Sequence, residues 1–389
     1  MPDGSGPLTV KVVPGIAEID PAAWDECAGA DNPFLSHGFL DALEASGSVA
    51  ATTGWLPQHL VVEDEQARML GAAPLYLKSH SYGEYVFDHA WAEAYQRAGG
   101  RYYPKLQMAV PFTPVAGPRL LVRPGAERDQ VERALIEAAE ELARRRRASS
   151  VHTTFPEEEQ WRRLGAAGWL QRIGYQFHWE NHGYSSFDDF LGALSSRKRK
   201  SIRKERREAV AGGIAIKTLT GSQLEPRHWD AFYGFYTDTT DRKWGHAYLT
   251  RSFFQLLGER MADRVVLVLA ESGGRFVAGA LNLRSADTLY GRNWGCNGEY
   301  RFLHFEACYY RAIDFAIEHG MKRVEAGAQG RHKIQRGYLP SATYSAHWIA
   351  DAGLRQAIET YLSRERRHAA AEIAALMTES PFKKDGEAE

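Results

Sequence analysis

The chain has 389 residues, enough for two ordinary domains at roughly 100–200 residues each. It is 44% hydrophobic, 25% charged and 12% aromatic, which excludes wholesale disorder, collagen-like repeats and coiled coil. Lys+Arg number 48 against Asp+Glu 49, a formal net charge of −1, so a nucleic-acid contact would need a local patch.

The start, Met1 to Val10, contains Gly, Pro and Asp and has no apolar run, so no secretory signal is expected there. No apolar stretch approaches the ~20 residues of a membrane span, and a soluble, cytoplasmic protein is the expectation. Residues 1–54 read as an entry segment, with a helix over 36–46 from the spacing of Phe39, Leu40 and Leu43. Residues 59–63 and 69–77 read as a hairpin, and 101–122 as extended chain rich in Pro and aromatics. A helix follows over 127–147, a strand over 149–155, a short helix between Pro156 and Gly168, and a strand over 169–181.

The second half repeats that order. One long helix is predicted from Ser186 to about Ala211, closed by Gly212-Gly213, then a strand over 214–219. Helices over 225–241 and 249–261 precede a three-strand meander over 264–271, 275–284 and 288–294. A helix over 304–319, strands over 321–326 and 342–350, and a helix over 354–377 complete the pattern. Residues 60–79 (LVVEDEQARMLGAAPLYLKS) and 267–285 (LVLAESGGRFVAGALNLRS) share one shape: apolar strand, acidic turn, then a strand with small residues. The echo suggests two copies of a mixed α/β unit. The expected division is a first domain over 1–185, a second over 186–380 and a polar tail over 381–389.

The chemistry-bearing residues concentrate in two places. The run RKRKSIRKERR (197–207) holds eight Lys/Arg and one Glu, +7 in all, so the rest of the chain carries −8. It reads either as a solvated helix face or as a phosphate-contacting helix, through Arg197, Lys198, Arg199, Lys200, Arg203, Lys204, Arg206 and Arg207. Phe187, Phe190, Leu191, Leu194 and Ile202 form a stripe that docks this helix on a core, which argues against a nuclear-localisation signal. The second place is 301–340. Glu325 sits among small and apolar residues, and reads either as a solvated strand residue or as a strand-end residue that meets a ligand. Arg331, His332, Lys333, Gln335 and Arg336 follow within six residues and offer donors to a phosphate, a carboxylate or an oxyanion. His304 and Cys308 share a helix face, which alone does not make a metal site. Cys27, Cys296 and Cys308 form no CxxC pair, so neither a disulfide framework nor a metal is expected. G-x-S-x-G, the P-loop and a Rossmann fingerprint are all missing from the sequence.

Four stretches carry a family resemblance: YVFDHAWAEAYQRAGGRYYPKLQMAVPFTPVAGPRLL (85–121), SSRKRKSIRKERREA (195–209), DTTDRKWGHAYLTRSFF (238–254) and LHFEACYYRAIDFAIEHGMKRVEAGAQGRHKIQRGYLP (303–340). Through them the chain resembles the FemAB-like branch of the GNAT acyltransferase superfamily. The resemblance implies an α/β fold of tandem GNAT-like domains, each a mixed twisted sheet flanked by helices. It also implies amide-bond formation: an aminoacyl group passes from aminoacyl-tRNA to the amine of a small molecule, peptide or cell-wall precursor, with no bound cofactor. The basic helix would then handle the tRNA. Residues Gly298-Glu299-Tyr300-Arg301-Phe302-Leu303 depart from the Q/R-x-x-G-x-G/A spacing of acetyl-CoA sites. Residues 333–338 depart from the F-K-x-G-F run of Fem ligases, with Ile334 at the Phe and Gln335 at the Lys.

On that resemblance Lys333 and Arg336 are the oxyanion candidates, and Glu325 or His332 takes the amine proton, with His304 a third candidate. Trp91, Tyr95, Tyr102, Tyr103 and Gln329 would bind substrate, and Lys105 would meet an anionic acceptor. The alternatives are an acyl-CoA (acetyl-CoA) donor and a non-catalytic binding module for RNA or peptidoglycan fragments.

Overall fold

The computed structural model describes residues 6–243, 247–328 and 330–383. In chain order the first elements are β1 (Thr9–Val13), α1 (Pro21–Ala28), α2 (His37–Ala45), β2 (Trp55–Pro57), β3 (His59–Glu63), β4 (Met69–Ala73), β5 (Leu75–Lys78), α3 (His89–Arg97), β6 (Lys105–Met108), β7 (Leu121–Val122), α4 (Arg128–Arg146), β8 (Ser150–Thr154), α5 (Glu158–Ala166) and β9 (Leu170–Glu180). Then come α6 (Phe187–Ala193), α7 (Ser196–Ala209), β10 (Ala215–Thr220), α8 (Pro226–Lys243), α9 (Arg251–Met261), β11 (Val265–Ser272), β12 (Arg275–Arg284) and β13 (Thr288–Cys296). A short α10 (Leu303–Phe305) runs through a π turn, Glu306–Tyr310, into α11 (Arg311–Glu318). Last are β14 (Arg323–Glu325), a 3-10 segment over Arg331–Arg336, β15 (Leu339–Ile349) and α12 (Ala352–Met377).

The chain divides into two compact units: Met1–Gly174 with Thr343–Ala370, and Tyr175–Ala342 with Ala371–Glu389. This differs from the expected division at residue 186, and pairing explains the difference. The end of β15 pairs antiparallel with β8, from Ser345↔Thr154 to Ile349↔Ser150. Leu354, Ile358 and Leu362 at the start of α12 pack with Trp91, Tyr102 and Leu170. Residues far along the chain thereby complete the first unit.

In the first unit β1, β3, β4 and β7 form one sheet, and β15, β8, β6, β5 and β2 lie in another. Pro74 separates β4 from β5 and has no N–H to give a ladder, so one apolar run serves two sheets. Val131, Leu135, Ala139 and Leu142 of α4 cover Leu60, Val62, Leu106 and Val151. β6 and β8 run parallel, joined through α4.

The second unit repeats the plan. β10 to β13 make an antiparallel meander, β13 runs parallel to β14 through α10 and α11, and β14 pairs antiparallel with β9. Phe177, Trp179, Leu289 and Val324 face Phe190, Leu191, Ile313, Phe315 and Leu376 in one apolar core. The expected helix over 186–211 is two helices. Leu194 adopts extended backbone at φ −86°, ψ 155°, is buried in that core, and Ser195 N–H donates to Pro381 O at 3.0 Å. The helix α3 was not anticipated. Its Ala, Glu, Gln and Arg residues are good helix formers, but a short run with weak apolar periodicity gives little signal.

Candidate active site

Alternation along the strands of the second unit sets the site. Val324 points to the apolar core, so Glu325 points to the other face of the sheet. Its register partners are His178 on β9 and Tyr290 on β13, which share that face. Glu325 is the last paired residue of β14, whereas β13 continues six residues beyond Tyr290 to Cys296. The two parallel strands therefore part at Glu325.

Glu325 is 5% exposed, so it is not a solvated strand residue. Its Oε2 lies 3.9 Å from His178 Nε2, and among the described residues neither that oxygen nor either His178 ring nitrogen has a hydrogen-bond partner. Burial pushes the Glu325 carboxyl up to about 7, against the lowering effect of Arg323. Burial likewise pushes His178 down to about 3, helped by Arg323 and Lys333, so its imidazole is neutral at pH 7. A carboxyl that titrates near neutrality beside a neutral imidazole suits proton transfer. His178 escaped the sequence reading. It sits mid-strand in an aromatic run, and only the β9–β14 register sets it against Glu325.

The other predicted residues gather on the core side of the same sheet. Lys333 is buried; its Nζ donates to Ala326 O at 2.5 Å and Gly327 O at 3.2 Å. Burial lowers its pKa to about 8. An ammonium has three donors, so one remains. The Arg336 guanidinium stacks 3.4 Å from the Phe305 ring centroid, and donates to His332 O at 2.7 Å and to Glu205 Oε2 at 2.8 Å. That geometry makes Arg336 a strut of the loop. His332 is exposed, with Nε2 3.1 Å from Tyr309 OH, and burial of part of the ring lowers its pKa. His304 packs among Trp294, Phe305 and Tyr309. The structure thus joins Lys333, His332, Arg336 and His304 in one cluster and sets Glu325 on the opposite face. Gln329 lies outside the described residues.

The basic helix divides by role. Arg206 donates to Glu306 and Asp314 and lies 4.1 Å from the Phe187 ring centroid. Arg203 pairs with Asp188 at 2.9 Å and Lys204 with Glu208 at 3.7 Å. Arg199 is half-buried. Arg197, Lys198, Lys200 and Arg207 have no ion-pair partner among the described residues, and all but half-buried Lys198 are exposed. Glu205 on the same helix accepts from Arg336 and from Tyr310 OH, tying α7 to the 331–336 loop. Because Glu306 is buried, Arg206→Ala is expected to lower unfolding free energy in urea by about 3 kcal/mol, against about 0.5 kcal/mol or less for Arg207→Ala.

The first unit places its predicted residues differently. Trp91 and Tyr102 are core, and Tyr95 and Tyr103 are half-buried against them. Lys105 is fully buried, donating to Ser81 Oγ at 2.8 Å, Glu84 Oε2 at 2.7 Å and Asp88 Oδ2. All three donors are spent, which leaves none for an anionic acceptor. The ends of the parallel pair are also filled in this unit. Arg119, fully buried, donates to the carbonyls of Val115, Gly117, Pro118 and Thr154. In the second unit the parting of β13 and β14 leaves buried polar atoms open; in the first, among the described residues, Gln107 Oε1 on β6 is also buried without a partner. Among the described residues no group of three or more His, Cys, Asp or Glu could hold a metal ion, and no helix is long and apolar enough to cross a membrane.

Two units, each built round a parallel strand pair with a helical crossover, define a tandem GNAT-like α/β fold. The chain belongs to the FemAB_like family, described as peptidoglycan biosynthesis/recognition, which matches residues 15–384. No curated protein matches it. Among solved structures it is similar to FemX at 13% identity and TM-score 0.55, over 90% of this chain and 100% of that one. It is also similar to the C-terminal domain of a putative lysylphosphatidylglycerol synthetase from Agrobacterium fabrum, at 9% identity and TM-score 0.54, over 90% of this chain and 97% of that one. A conserved protein of unknown function from Bacteroides thetaiotaomicron matches at 11% identity and TM-score 0.52, over 88% and 100%.

Proposed function

We propose that the protein is an N-acyltransferase that forms an amide bond at the parting of β13 and β14, with an amine-bearing peptidoglycan precursor as acceptor and aminoacyl-tRNA as donor. The observation that carries this reading is Glu325: a buried carboxyl with an unpartnered oxygen, raised to about 7, at the point where the strands separate. The family description supports the acceptor class.

The acceptor nitrogen attacks the carbonyl carbon of the aminoacyl ester. The C–N bond forms, the ester C–O bond breaks, and Glu325 takes the proton of the attacking nitrogen and returns it to the leaving ribose oxygen. The carrier meets Arg197, Lys198, Lys200 and Arg207, the cations of α7 that internal pairs leave open.

The test is incubation with labelled aminoacyl-tRNAs or with acetyl-CoA, using peptidoglycan-precursor peptides as acceptors. Transfer from tRNA, abolished by RNase and weakening steeply with salt, is the expected result. Transfer from acetyl-CoA alone overturns the donor; transfer from neither overturns the enzyme. Changing Arg197, Lys198, Lys200 and Arg207 together to Gln is expected to flatten the salt dependence of tRNA binding while the melting temperature stays within about 2 °C.

A further inference from the structure

The basic run carries one acid, Glu205, set between Lys204 and Arg206. Its side chain is 13% exposed and turns inward. Oε2 accepts from Arg336 Nη2 at 2.8 Å and from Tyr310 OH. The next residue, Arg206, donates to both oxygens of Glu306 at 3.1 Å. Glu306 and Tyr310 begin and end the π turn, a distortion found frequently at functional sites. Two consecutive residues of α7 thus hold both ends of that turn, and Glu205 also holds the 331–336 loop.

From Glu205 the contacts continue to the backbone of Glu325. Arg336 donates to His332 O, next to Lys333. Lys333 Nζ donates to the carbonyls of Ala326 and Gly327, the two residues that follow Glu325. Phe177 on β9 holds the same two residues: Ala326 N–H donates to Phe177 O at 3.0 Å, and Phe177 N–H to Gly327 O at 3.1 Å. The loop is therefore one of two supports for the chain that carries Glu325. It also leaves two buried atoms, Arg336 Nε and Gln335 Oε1, without a hydrogen-bond partner among the described residues. Unpaired buried atoms cost stability, so this arrangement of the loop has close competitors.

The position of α7 can choose among them. Its buried residues are Ile202 and Ala209, so polar pairs rather than a broad apolar face fix where it lies. Its exposed cations include Arg197, Lys200 and Arg207. We propose that Glu205 is a positioning residue that couples docking of the polyanionic carrier on α7 to the loop supporting Glu325. Bound phosphates fix α7, α7 fixes Arg336 through Glu205, and the loop then holds Glu325 at the parting of β13 and β14. Binding energy from the carrier body is spent on orienting the reacting centre, so the carrier raises kcat as well as donor affinity. This rests on the acyl-transfer reading with a tRNA donor, and adds how the carrier acts on the site.

The experiment compares aminoacyl-tRNA with the same aminoacyl ester on adenosine, which keeps the reacting bond and lacks the polyanion. Wild type, Glu205→Ala and Glu205→Gln are assayed with one peptidoglycan-precursor peptide, each checked for a native melting transition and for tRNA affinity. Wild type is expected to show a kcat roughly tenfold to a hundredfold higher with tRNA. Glu205→Ala is expected to bring that kcat down to the ester value, while the ester kcat and the tRNA dissociation constant stay within about threefold. Glu205→Gln keeps an acceptor oxygen for Arg336 and Tyr310, and is expected to restore most of the difference. Equal losses with both donors assign Glu205 to the architecture of the site and overturn the inference. So does a Glu205→Ala effect confined to tRNA affinity, or a wild type with equal kcat for the two donors; acyl transfer stands in each case. If Glu205→Ala does not fold, Arg336→Met, which keeps a side chain over Phe305 and removes the bond to Glu205, is read in the same way. A wild type that uses neither ester strikes the aminoacyl-donor reading itself, and the inference falls with it.

Discussion

Glu325→Gln is expected to slow transfer by roughly 10²–10⁴-fold and, at the same time, to make the protein more stable above neutral pH. The activity loss follows from removing the group that takes the proton of the attacking nitrogen. The stability gain follows from burial. The folded carboxyl titrates at about 7, whereas an unfolded Glu titrates near 4.3. Between those values the folded state holds a proton that the unfolded state has released. The stability this group contributes is therefore complete below about pH 4.3 and drains away as pH rises through 7. At pH 8 the buried carboxylate carries a cost on the order of 3 kcal/mol, which the amide lacks. Arg323, Glu180, Arg292 and Tyr290 interact with the group electrostatically, and Arg323 and Arg292 offset only part of that cost. Urea unfolding of both proteins at pH 5 and pH 8 checks it: the variant gains at pH 8 and the difference narrows at pH 5. An inactive variant with no gain at pH 8 would mean the carboxyl is ionised without penalty.

Lys105→Met is expected to lose about 3–5 kcal/mol of stability, the largest single loss among the residues considered. Its ammonium is the cation on which Glu84 and Asp88 converge, and both carboxyls are buried. Burial by itself would raise Asp88; the Lys105 ammonium overrides it and holds that carboxyl well below the usual range. Burial lifts Glu84 to about 7 despite the same lysine. Methionine fills the volume but leaves two carboxyls with Lys78, 3.9 Å from Glu84 and itself pushed down to about 7 by burial. The deficit is expected to shrink as pH falls toward 4, because the orphaned carboxyls then protonate. Denaturant midpoints across pH 4–8 measure this. A deficit that is flat with pH would assign the loss to packing rather than to charge.

The residues by themselves carried a good deal. Strand and helix periods located nearly every large element, the echo between 60–79 and 267–285 announced two like units, and the glutamate at 325 stood out among small neighbours. Those signals are local, because a period of two or 3.6 is written in adjacent residues. The partner of Glu325 is not local. His178 lies 147 positions earlier in the chain and reaches it only through the β9–β14 register. The same holds for the unit boundary, where β15 pairs back to β8, and for Lys105, whose three donors are claimed by Ser81, Glu84 and Asp88. A run of eight cations likewise looks uniform until Glu306, Asp314 and Asp188 claim some of them and leave others open. Residue type told which groups could carry charge or a proton. Tertiary packing decided which were desolvated, which were neutralised and which stayed open, because burial and pairing depend on what the fold brings alongside.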